Sequence, residues 1–281
     1  MKTTFKWMFA AILICGLTVS SCKKDPQPTP TPDPEPEPTT QTVLTGMVGT
    51  GVSFYDSVTY SYEYDAEYRL VRCESHVTND GYVIQDLHFT YSDGRISVTG
   101  TESESLITIE CTLDIEGRIN HYVRTSVLND TLTSITNVDF TYDAEGHLAS
   151  EHVVSNGSDS QGATSIYVWE GDELKACNTE GNAIALEYVA SDAPAQAMFH
   201  IMSYDGELAV LCTQGCFGKL PAHMPAKKTF TTSLPIPGMP PIVRISNYTY
   251  TVNADGRLAS CVEIDETDDN TTNYTFNWEE R

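Results

Sequence analysis

An all-β fold, an antiparallel meander of repeated hairpins rolled into a barrel-like shape, is what this sequence predicts. Three observations lead there. A hairpin unit recurs along the chain, apolar and polar residues alternate with period two between the turns, and only one long segment, about 191–245, breaks the rhythm.

The unit is plainest in Phe140-Thr141-Tyr142-Asp143-Ala144-Glu145-Gly146-His147-Leu148. It returns as Tyr62-Glu63-Tyr64-Asp65-Ala66-Glu67-Tyr68-Arg69-Leu70, as Cys111 to Ile119, and as Tyr250 to Leu258. Shorter relatives run from Phe89 to Ile96 and from Tyr167 to Leu174. The closing aliphatic falls at 70, 96, 119, 148 and 174, in steps of 26, 23, 29 and 26, each long enough for two strands and two turns. Asp or Asn opens a type I turn through its side chain, and Gly takes the left-handed position that produces a G1 bulge. Tyr68 stands where the other units have glycine, so that turn should be strained.

Between turns, Val138, Phe140 and Tyr142 oppose Asn137, Asp139 and Thr141, and Tyr274, Phe276 and Trp278 oppose Thr275, Asn277 and Glu279. Tyr248, Tyr250 and Val252 likewise share a face. The sheet therefore has one dry and one wet side. Closure into a barrel, or rolling over a plug, would cover the dry side and protect the edges. The segment near 191–245 supplies the plug: a short helix or two is expected there, packed on the apolar face, from Ala195–Met202 and Glu207–Leu211.

The N-terminus reads differently. Lys2 and Lys6 precede an apolar stretch, Trp7 to Leu17, too short to span a bilayer as a permanent helix. Leu17-Thr18-Val19-Ser20-Ser21-Cys22 then resembles a bacterial lipobox, which makes 1–21 a signal peptide and Cys22 the lipid attachment site. One acyl chain holds a membrane only marginally, so anchoring implies several. Lys23-Lys24-Asp25 partly resembles the export tag of surface lipoproteins. Seven prolines between 26 and 38 make 22–42 a linker that cannot fold into a core, extended over about 40 Å as polyproline II. Residues 43–281 remain as one β-meander domain.

Loss of the leader removes two lysines and no acids, taking the formal charge from −23 to −25. Such a surface repels phosphate backbones and anionic headgroups, so nucleic acid is excluded as a partner and the lipid on Cys22 is the membrane contact. No HExxH, GxSxG, phosphate loop or GxGxxG is present, and the expectation is an extracytoplasmic protein with no catalytic residue, metal or cofactor. Seven histidines are scattered, and His147, at an arginine position of the repeat, is expected at the surface or rim. Cys73, Cys177 and Cys261 each follow a closing Leu by three residues, so repetition explains them. Cys212 and Cys216 are the closest pair and the disulfide candidate. The acidic run Asp265–Asp269 reads as a hairpin tip, with Ca²⁺ binding as the alternative. Asp56-Ser57-Val58 and Asp130-Thr131-Leu132 fit an O-glycosylation pattern.

The repeated Y-x-Y-D-x-x-G-R-L units resemble the YD turns of Rhs-type repeat proteins. With the late apolar segment and Gly218-Lys219-Leu220-Pro221, residues 55 to 281 more fully resemble an uncharacterised domain family of bacterial lipoproteins described as having a porin-like fold. The resemblance implies a β-rich extracytoplasmic domain and no known activity. The functional expectation is an outer-membrane or cell-surface lipoprotein whose domain binds a glycan or protein ligand, or serves a structural role. Two alternatives are a hydrolase of glycan or peptide using carboxylates at the barrel mouth, and a membrane-inserted barrel with its aromatics facing lipid.

Overall fold

The computed structural model describes residues 40–52, 55–156, 162–188, 193–196, 207–233 and 239–281. The leader, Cys22 and most of the proline linker lie outside the described residues, as does most of Ala195–Met202. The chain divides into two units, Met1–Thr39 and Thr40–Arg281, and every strand belongs to the second.

The described residues form sixteen strands in one closed antiparallel barrel, each bonded to its neighbours in sequence. They are β1 (Thr42–Thr50), β2 (Ser57–Tyr64), β3 (Leu70–Val77), β4 (Val83–Ser92), β5 (Arg95–Glu102) and β6 (Ser105–Leu113). Next come β7 (Ile119–Leu128), β8 (Thr131–Tyr142), β9 (Leu148–Ser155), β10 (Ala163–Glu170), β11 (Glu173–Thr179) and β12 (Asn182–Glu187). After the insertion come β13 (Lys227–Thr232), β14 (Ile242–Val252), β15 (Leu258–Asp265) and β16 (Asn270–Glu280). The ring closes where β16 pairs with β1, Thr42 opposite Glu280.

Every repeat unit spans an even-to-odd strand connection, so all repeat turns lie at one end, here the turn rim, together with both ends of the barrel chain. Asp114 Oδ1 accepts the amides of Glu116 and Arg118, and Asn253 Oδ1 those of Asp255 and Arg257. Gly117, Gly146 and Gly256 take φ values of 82°, 91° and 75°. A register shift accompanies each turn, at Thr112/Leu113, Thr141/Tyr142 and Thr251/Val252. The expected bulge is therefore present, and Tyr68 adopts the same left-handed backbone at φ 62° without glycine's freedom.

The dry face points inward. Leu70, Leu87, Ile96, Ile109, Leu148 and Leu174 are each at most 1 % exposed. Burying a side chain of this size contributes roughly 1.5–3 kcal/mol. The outer wall carries the polar set instead. On β2 to β4, Arg72 bonds Asp86 at 2.8 Å and Glu63 at 3.1 Å and also pairs with Glu74. Farther round, Thr141 and Thr251 pair with Ser150 and Ser260, both at 2.6 Å. Exposed Leu106, Ile166, Val168 and Ile264 interrupt this surface among Thr, Asn and Glu.

The insertion is shorter than expected, because β13 occupies 227–232, inside the segment assigned to it. Lys227–Thr232 lacks both the repeat turn and a fully buried position, so nothing in it marked a strand. The helical element among the described residues is a 3-10 helix, Ala209–Gln214, with Ala209, Val210, Leu211 and Cys212 buried. It ends on Gly215 in the left-handed conformation. Phe217 packs edge-on against Phe140, ring centroids 5.4 Å apart, and joins the plug to the barrel core.

From there the insertion runs along the inside of the turn rim. The Gln214 side chain donates to Tyr68 O and accepts from Leu70 N. Ile119 N donates to Cys216 O at 2.7 Å, Lys219 N to Gly146 O, and Ala222 N to Asp172 O. On the other side, Leu258 N donates to Gln196 Oε1. The bulges leave backbone groups that the ladder cannot reach, and the plug supplies partners for them.

Candidate functional site

An aromatic residue usually stands at or near the end of a strand entering the turn rim, and its polar atom reaches back one unit. Tyr91 OH donates to Leu70 O, Tyr142 OH to Ile119 O, Trp169 Nε1 to Leu148 O, and Trp278 Nε1 to Leu258 O, all at 2.6–2.8 Å. Tyr64 reaches Leu44 O and Tyr188 reaches Leu174 O in the same way. The cation before the closing aliphatic then covers the next unit's ring: Arg69 over Tyr91, Arg118 over Tyr142 and Arg257 over Trp278, at 4.9, 4.2 and 5.7 Å. His147 stacks on Trp169 at 4.3 Å in this role. It stands at the rim as expected but is only 2 % exposed, so it is not a surface residue; the stacked indole and the plug cover it.

Two units break the aromatic rule, at Leu113 and Val252. Leu113 leaves space. A cavity of about 350 Å³ opens there at the turn rim, between the plug and the strands on either side of the barrel closure. Its floor is Leu44, Ile96 and Leu113, and its sides include Tyr64, Tyr91 and Trp278. Its mouth presents Gln41, Glu67 and Arg69, with Gln214 reaching in from the plug. Tyr68, the strained residue in the glycine position, also lines it. Two of the repeat's departures, Tyr68 and Leu113, thus meet in one cavity. Arg69 bonds Asp65 at 2.7 Å and lies 3.4 Å from Glu67, so the mouth's guanidinium is compensated locally.

A second opening lies toward the opposite rim. Lys228, Arg244, Glu263 and Asp265 line about 370 Å³ there with Phe230 and Ser246. Tyr248 OH donates to Glu263 at 3.0 Å, and Arg244 reaches outward to Asp268.

Carboxylates meet inside the barrel in one other place. Arg124 on β7 holds Glu102 at 2.6 Å and Glu207 of the insertion at 2.5 Å. Burial, then the Glu207 charge, raises the Glu102 carboxyl above its ordinary value. Glu151 is raised by burial, against a 3.1 Å hydrogen bond from Tyr167 OH.

Of the residues singled out in the sequence, Cys22 lies outside the described ones. The Cys212–Cys216 disulfide is not formed: both residues are buried without a disulfide. Cys212 lies beside Tyr62, and Cys216 beside Tyr91 and Tyr142. Asp265 accepts the amides of Thr267 and Asp268 as the acceptor of its own turn. Ser57 shares a hydrogen bond with Thr78, and Thr131 is exposed beside Asp130 at φ 59°. Reading the sequence marked Tyr68 but not Leu113, whose signal was the missing aromatic. Nothing in the sequence marked Glu102, Arg124 and Glu207, which come from separate elements.

The described residues form a closed, plugged β-barrel with an apolar core and a few enclosed polar groups. Residues 62–260 match the family described as a domain of unknown function (DUF4595) with porin-like fold, and the chain belongs to that family. Solved structures agree on the fold. A porin-like protein from Bacteroides uniformis superposes with a TM-score of 0.59 at 14 % identity, covering 84 % of this chain and 96 % of its own. A porin-like protein from Bacteroides vulgatus gives 0.60 at 10 % identity, covering 85 % and 99 %. A search of curated proteins found no match.

Proposed function

We propose that the protein is a non-enzymatic binding or structural module of the outer membrane or cell surface, tethered by lipid on Cys22 and held off the bilayer by its proline linker. The observation that carries this reading is the orientation of the wall. A barrel that crosses a membrane turns an apolar band about 25 Å tall outward and keeps polar groups inside. Here the apolar residues face inward, a plug fills part of the interior, and the outer wall holds the Arg72, Asp86 and Glu74 cluster at mid-strand. That arrangement supports a barrel standing in water and speaks against the inserted-barrel alternative. It also leaves the lipid as the membrane contact.

The hydrolase alternative needs a carboxylate pair facing an open cleft. Glu263 and Asp265 line the second opening, but Glu263 accepts the Tyr248 hydroxyl and Asp265 the amides of its own turn. Glu102 and Glu207 are both engaged by Arg124, and Glu207 is 6 % exposed, which supports a role in fastening the plug.

Membrane fractionation of cells expressing the full chain and a Cys22→Ala variant tests the proposal. The parent should sediment with membranes and label with radioactive palmitate, and the variant should be soluble without detergent. A variant that stays in the membrane fraction after carbonate washing would overturn it.

A further inference from the structure

We infer that the cavity between Tyr68 and Leu113 is a binding site for a neutral sugar residue, which deepens the binding role proposed above and rests on it. The first support is convergence. Among units built to one plan, the change that introduces backbone strain and a change that removes a ring both line the same 350 Å³. Tyr68 would sit without strain as glycine, so its side chain is held there against a local penalty, a pattern found where a residue serves a site.

The lining identifies the ligand class. An apolar floor of buried Leu44 and Ile96 and half-buried Leu113 needs a ligand with an apolar face. The rings of Tyr64, Tyr91 and Trp278 offer π surface and edges against which the C–H face of a pyranose can pack. Gln41, Glu67, Arg69 and Gln214 provide the donors and acceptors that ring hydroxyls require. Gln214 is itself fixed by Tyr68 O, Leu70 N and Tyr91 OH, so its second amide hydrogen is held in place rather than free to rotate. Because Arg69 is answered by both Asp65 and Glu67, no free positive charge is left to hold an anion. A wholly apolar ligand would leave the polar mouth unpaired. A neutral, hydroxylated, flat-faced group satisfies all three parts.

Trp278 reports the site by fluorescence. The full chain in mild detergent is titrated with glucose, galactose, mannose, N-acetylglucosamine and their short oligomers, with calorimetry as a second readout. At least one sugar should bind saturably. Leu113→Trp, which fills the cavity as the aromatic units do, should weaken binding ten-fold or more without lowering the melting temperature. Tyr68→Gly, which relieves the left-handed strain, should weaken it several-fold while the protein still folds. The assignment is overturned if no sugar binds saturably, if binding ignores both variants, or if peptides ending in an aromatic residue occupy the cavity in place of sugars. A failure here with normal membrane partition of the parent removes only the sugar site. Sugar binding by a Cys22→Ala protein that remains in membranes removes only the anchoring.

Discussion

The hydroxyl of Tyr142 donates a 2.6 Å hydrogen bond to the carbonyl of Ile119, a residue 23 positions earlier in the chain. The same bond joins Tyr91 to Leu70 and Trp169 to Leu148, each across 21 positions. The repeat is therefore an interlock: the aspartate shapes its own turn, the cation covers the next ring, and that ring's polar atom satisfies the carbonyl of the unit before. Tyr142→Phe keeps the ring and removes the donor, leaving a part-buried carbonyl short of a partner. It should lower stability by about 1–2 kcal/mol in urea denaturation. An unchanged midpoint would show that the bond is ornamental.

The plug is tied to the wall by Arg124. Glu207→Ala leaves the guanidinium with Glu102 alone and opens a gap beside Leu208, which is fully buried. Breaking a buried pair by removing one partner typically costs about 3–5 kcal/mol, and the remaining Glu102 places this case near the lower end. Equilibrium unfolding measures it, and limited proteolysis within 188–226 should accelerate in parallel.

Stability should peak at mildly acid pH. Burial raises the Glu151 carboxyl above 4.5, so its charged form is disfavoured in the folded state. Its penalty is present at neutral pH and is relieved as pH falls through the raised folded value. Asp86 has the opposite sign. The hydrogen bond from Arg72 holds its carboxyl below 3.8, so its contribution is intact above that value and lost as pH falls beneath it. Melting temperature should rise as pH falls from neutrality through the raised Glu151 value and then drop below the ordinary carboxylate range, where Asp86 takes up its proton. Glu151→Gln should raise stability at pH 7 and flatten the first limb, and Asp86→Asn should weaken the second.

The interior thiols should be silent. Burial pushes Cys73 and Cys261 up to about 12, and Cys177 and Cys216 up to about 11. The thiolate is the reacting species, so iodoacetamide at pH 8 should leave these four unmodified in the native protein and label all four in denaturant. Mass spectrometry of the alkylated peptides decides it. Labelling of Cys216 alone would show that the rim cavity admits reagent to the plug.

The sequence carried the barrel because its evidence was local and repeated. Asp143, Gly146 and Leu148 state a turn, a bulge and a core position within six residues, and the chain says so several times. What it could not carry was placement across the ring. Lys227–Thr232 forms β13 because β12 and β14 flank it, not through any pattern of its own. Cys212 and Cys216 are near in sequence, yet Cys212 neighbours Tyr62 and Cys216 neighbours Tyr91 and Tyr142. Arg124, Glu102 and Glu207 come from β7, β5 and the insertion, and only closure brings them together. The rim cavity was half legible, since Tyr68 violates the repeat visibly, while Leu113 looked like one more apolar residue.

The bond between the first and last strands, Thr42 opposite Glu280, sets a condition on biosynthesis. The ring cannot be sealed until β16 has been made and delivered. Until then the growing sheet keeps two unpaired margins and an uncovered apolar face, the combination that invites association between chains. A product lacking β16 would keep those margins permanently, exposing both β1 and β15. Strand β16 therefore acts as a checkpoint: a copy truncated before it keeps both margins open to association.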